Sequence, residues 1–68
     1  MTYPVAKIVY RADDDVEDCE MRFYKEGHGQ RHMQQMRRMK HLLFARLYTR
    51  APRAPWVLED EIEGEEAP

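Results

Sequence analysis

The chain has no serine and a single cysteine, Cys19, among its 68 residues. Without serine a common acyl-transfer nucleophile is missing, and one cysteine permits no intrachain disulfide. Secreted domains of this size are usually stapled by several disulfides, so a reducing, cytoplasmic compartment is expected. Long apolar runs are also missing. The longest strongly apolar stretch, Leu42-Leu43-Phe44-Ala45, falls far short of the roughly 20 residues a membrane span needs. The first seven residues have neither the basic start nor the apolar run of a signal peptide. No glycine-rich phosphate loop appears, and no nucleophile has an evident base beside it. An enzyme is therefore not expected, nor a cofactor.

What remains is enough for one small domain, placed at residues 1–63, with an acidic flexible tail at 64–68. A chain of this length buries only about 60% of the surface its unfolded form exposes, so its stability is marginal.

Charge is laid out in blocks. Residues 1–29 carry four basic and seven acidic side chains, and residues 30–53 carry seven basic and no acidic ones. Residues 54–68 carry six acids and no base, which leaves a net charge of −2. Two explanations compete. The blocks neutralise each other within one fold, or a basic face meets an acidic partner and the acidic end a basic one.

The periodicity predicts an α+β order of β-β-α-β. Ala6, Ile8 and Tyr10 alternate with Lys7, Val9 and Arg11, a strand pattern over 5–11. Cys19, Met21 and Phe23 alternate with Glu20 and Arg22 over 18–24, and the Asp-rich stretch between reads as a hairpin connection. From Gln30 the period changes: Met33, Met36, Met39, Leu43, Phe44 and Leu47 share one arc of a helical wheel. A long amphipathic helix ending before Pro52 is expected. Residues 56–62 alternate again, giving a third strand. Short connections would set that strand antiparallel beside the first, in the order 3-1-2, with the helix packed across a three-stranded sheet.

On such a helix Arg31, Gln35, Arg38, Leu42 and Arg46 form a basic ridge away from the core, a candidate partner-binding surface. The plainer reading is a solvated outer face. Glu59, Glu61 and Glu63, with Asp60, make the third strand an acidic sheet edge able to meet a basic partner. Leu42 and Tyr48 lie outside the core arc and are candidates for a partner or homodimer contact.

The other clusters point away from special chemistry. His28 and His32 with Cys19 lack a fourth ligand for a structural zinc, so no metal is expected. Asp13, Asp14, Asp15, Glu17 and Asp18 lack the glycine and glutamate of an EF-hand frame and read as a solvated turn. Cys19, among acids on an apolar strand face, reads as a structural thiol. The five methionines read first as core fillers.

These readings converge on a protein-binding module, an inhibitor or adaptor of a larger machine such as a nucleic-acid-processing enzyme. In size and character the chain resembles the small proteins that bacteriophages make to bind and inhibit host enzymes. That resemblance lies in composition and scale, and no specific run of residues carries it. The alternative is a nucleic-acid-binding domain using the basic helix 30–50, which the overall acidity opposes.

Overall fold

Alternation builds the first hairpin as expected. In the computed structural model, which describes residues 3–64, β1 (Ala6–Ala12) pairs antiparallel with β2 (Cys19–Phe23). The register sets Ala6 against Phe23, Ile8 against Met21 and Tyr10 against Cys19, so the apolar sets of both strands share one face. The Asp-rich connection is closed from within. Asp15 Oδ2 accepts the Ala12 N–H at 2.9 Å, so one of its carboxylates works as a turn closer.

The helix α1 (His28–Met36) begins after Gly27, whose φ of 84° favours a residue without a Cβ. Its Met33 and Met36 are buried on the sheet. Gly29 lets it lie close: a Cβ there would stand 2.8 Å from Leu47 Cδ1 and 3.1 Å from the Ala6 Cβ.

After Met36 the structure departs from the sequence expectation. The helix has nine residues, and Arg38 and Met39 turn off it through N–H bonds to the carbonyls of Gln35 and Met36. Residues expected to continue it form a strand, β3 (Leu42–Thr49). The strand expected at 56–62 is β4 (Val57–Glu63). The sheet therefore has four antiparallel strands in the order β2-β1-β3-β4. The last strand lies beside β3 and not, as expected, beside β1.

The physical reason is that this segment satisfies both periods. Leu43, Phe44 and Leu47 fit a helical arc, but Ala45, Leu47 and Thr49 also alternate with Phe44, Arg46 and Tyr48. Between two strands, the second pattern satisfies backbone groups on both sides and buries Ala45 and Leu47. A bulge at Arg11/Ala12 lets Leu43 drop out of the alternation, so Leu42 turns inward and is 4% exposed.

The core is small: Ala6, Ile8, Met33, Met36, Leu42, Ala45 and Leu47, with Tyr10, Phe23 and Ile62 packed against it. Met39 and Leu43, expected in the core, are about half exposed. Among the described residues no helix is long and apolar enough to cross a membrane. Gly64 still belongs to the fold, donating its N–H to the Leu43 carbonyl at 2.9 Å. The rest of the expected tail, 65–68, lies outside the described residues.

Candidate functional site

Among the described residues one helix covers one face of the sheet, and no second layer covers the other. Strand alternation decides what that face carries. The register sets Lys7 against Tyr48, Val9 against Arg46 and Arg11 against Phe44, all opposite in sense to the core set. Across the next pair Tyr48 opposes Leu58 and Arg46 opposes Glu61.

The side chains there assemble into stacked cations and aromatics. Lys7 Nζ lies 4.8 Å from the Trp56 ring centre and 5.5 Å from that of Tyr48. The Arg50 guanidinium sits 4.2 Å from the same Trp56 ring, and that of Arg46 4.6 Å from Phe44. Such contacts are worth about 0.5–1 kcal/mol each at exposed sites, and they hold long side chains in place. Arg50 is fixed further by donating Nε–H to the Pro4 carbonyl at 3.1 Å.

The same face is electrically paired. Arg46 Nε donates to Glu61 Oε2 at 2.7 Å, and Arg22 Nε donates to Glu20 Oε2 at 2.7 Å. Arg11 Nε lies 2.9 Å from Asp18, and Lys7 Nζ lies 3.9 Å from Glu20. The bond to Glu61 raises the pKa of Arg46 above its ordinary value. On the opposite face Arg37 pairs with Asp60, and that bond holds the Asp60 carboxyl below the usual aspartate range. The basic 30–53 block and the acidic strand after it thus neutralise each other in part within the fold, through Arg37–Asp60 and Arg46–Glu61.

On the far side of Arg50 lies a cleft of about 590 Å³ lined by Tyr3, Tyr24, Arg50 and Arg53, with prolines 4 and 52. Arg53 belongs to the β3–β4 turn, which the Ala54 N–H closes onto the Ala51 carbonyl at 3.1 Å. Its φ is 62°, a left-handed conformation for a residue with a Cβ.

The expected basic ridge does not form. Arg31 and Gln35 are exposed on α1, and Arg38 is exposed in the turn after it. Leu42 is buried in the core, which removes it as a contact, and Arg46 lies on the helix-free face of β3. The ridge fails because the helix that would align it ends at Met36. Glu59, Glu61 and Glu63 do share β4 and are exposed; Glu59 accepts a hydrogen bond from Thr49 Oγ1 at 3.2 Å. Sequence reasoning missed Lys7, Phe44, Arg50 and Trp56. The visible signal was the alternation Phe44-Arg46-Tyr48, which the overlapping helical period masked.

Cys19 Sγ lies 3.7 Å from Asp15 Oδ2, and burial together with that carboxylate pushes the thiol up, away from the thiolate. His32 packs on Phe23 with ring centres 5.6 Å apart, and His41 Nδ1 lies 3.3 Å from Asp13. Among the described residues no three His, Cys, Asp or Glu side chains gather as metal ligands would. Comparison with family models, curated proteins and solved structures found no match.

Proposed function

We propose that the chain is a protein-binding module, an inhibitor or adaptor that docks through the helix-free face of its sheet. The observation that carries this reading is the stacked cluster of Lys7, Tyr48, Trp56 and Arg50, continued by Phe44 and Arg46. Trp, Tyr and Arg are the residue types that dominate binding energy at protein interfaces. Here they are half-buried and preordered, so docking immobilises little that is not already fixed. Because the charges around them are largely paired, the face suits a partner of mixed polarity more than a polyanion.

The nucleic-acid reading loses its main support, since the basic residues it needs on one helix are spread over α1, the turn after it and β3. A nucleic-acid-processing enzyme remains the partner class favoured by the resemblance in size and composition to phage-encoded inhibitors.

The test is affinity capture from the native cell's lysate with nuclease present, comparing the wild type with the Tyr48→Ala/Trp56→Ala double variant. A discrete protein that the wild type retains and the variant loses, with the variant's fold intact, supports the reading. Nucleic acid as the sole capture, released steeply by salt, or a partner that both proteins retain equally, sinks it.

A further inference from the structure

The two edges of the sheet are β2 and β4, and they differ in how they would meet a second copy of themselves. Two β4 strands paired antiparallel about Asp60 set Asp60 against Asp60 and Glu59 against Glu61. Like charges directly opposite destabilise a pair, so β4 is disfavoured from pairing along its full length with its own copy. In the register that overlaps all of β2, by contrast, no like charges are opposed. When two copies pair antiparallel with their faces matched, a twofold axis passes through one residue, which then opposes itself. An axis at Glu20 opposes carboxylates, and one at Arg22 opposes guanidiniums. An axis at Met21 opposes Met21 to Met21 and Cys19 to Phe23, and sets each Glu20 against the other copy's Arg22. Carried past the strand ends, the same register sets Glu17 against Lys25.

We propose that β2 is a homodimerisation edge, pairing antiparallel with β2 of a second copy about Met21. The half-buried Cys19, Met21 and Phe23 sit on the helix side of this strand, where the second copy would extend the apolar surface beside them. On the other side Glu20 and Arg22 are exposed and bond within the chain, Arg22 Nε to Glu20 Oε2 at 2.7 Å. In the dimer each Arg22 turns across the axis to the other copy's Glu20. Both helices then lie on one side of a continuous eight-stranded sheet, and the two helix-free faces join on the other. The inference is independent of what docks on that face.

A five-residue strand makes a modest interface, so the dimer is expected to be weak and concentration-dependent. Sedimentation velocity on the purified chain over a concentration series should show monomer passing to dimer. Arg22→Glu should weaken the dimer about tenfold or more, because both attractive cross-axis pairs become repulsive. Combining it with Glu20→Arg should restore it, and the two single variants mixed should pair with each other in preference to themselves. Both positions are exposed, and far-UV circular dichroism checks that the fold is kept. As a second route, Met21→Cys in a Cys19→Ser background should form a disulfide between copies on mild oxidation. A chain that stays monomeric up to about 1 mM overturns the proposal, since an association that weak is no working interface. So does a dimer indifferent to the charge swap, or failure of the Met21→Cys variant to cross-link.

Discussion

Arg53 sits at the third position of a turn whose second residue is Pro52, where a positive φ ordinarily selects glycine. Holding an arginine there costs on the order of 1–2 kcal/mol. Arg53→Gly is therefore expected to stabilise the fold by about that amount, raising the urea midpoint, while removing one cation from the cleft it shares with Arg50. A lowered midpoint would mean the side chain contributes more to the fold than its backbone strain costs. Gly29 works in the opposite sense. Gly29→Ala puts a methyl against the fully buried Leu47 and should cost about 1–3 kcal/mol, measured by the same unfolding curves. Asp60 supplies a pH handle. Its carboxyl is held below the ordinary aspartate value of about 3.9 by Arg37, so its contribution is present above that pH and lost as pH falls through the folded value. Both partners are more than a third exposed, which limits the contribution to about 0–1 kcal/mol. Asp60→Asn should thus unfold slightly more readily at neutral pH, and its gap to the wild type should close in acid.

Among the elements, β3 bears most of the architecture. It is flanked by β1 and β4, contributes Leu42, Ala45 and Leu47 to the core, and presents Phe44, Arg46 and Tyr48 on the helix-free face. Native-state hydrogen exchange should find the amides of Leu47 and its interior neighbours among the slowest in the chain. Those of the nine-residue α1 should exchange faster, because a helix that short is held by packing alone. Slowest exchange in α1 would contradict the assignment of β3 as the structural centre. Leu47→Ala and Met36→Ala should each cost about 2–5 kcal/mol, one through β3 and the other through α1. A negligible loss at either position would place that side chain outside the core.

For the molecule as a whole, the seven buried apolar side chains among the described residues are few, and total stability is correspondingly small. A core substitution costing several kcal/mol should leave much of the population unfolded at 37 °C, whereas Tyr48→Ala and Trp56→Ala should not. Those two rings rest on the sheet from the side opposite α1, so their loss removes surface contacts and leaves the helix–sheet packing untouched. Division of labour follows from the two-layer arrangement: one face of the sheet holds the molecule together, and the helix-free face carries the cluster proposed to dock a partner.

The α+β class, both strands of the first hairpin, a last strand over 56–62 and a helix beginning near Gln30, two residues after its observed start at His28, were legible in the sequence. Each rests on a local pattern that admits one reading: clean alternation, a glycine at a break in period, or paired methionines at helical spacing. So was the acidic character of β4, since three of its glutamates follow from composition and spacing alone. The length of the helix and the identity of 42–49 were not legible. That segment satisfies a 3.6-residue and a two-residue period at once, and local propensity does not separate them. Only the presence of β1 on one side, with backbone partners 30 to 43 residues away, and β4 on the other, with partners 8 to 19 residues away, tips it to a strand. The candidate site went with that choice. A strand at 42–49 dissolves the ridge of Arg31, Gln35, Arg38, Leu42 and Arg46, and gathers Lys7, Tyr48, Arg50 and Trp56 from three separate parts of the chain, a juxtaposition that tertiary pairing alone creates.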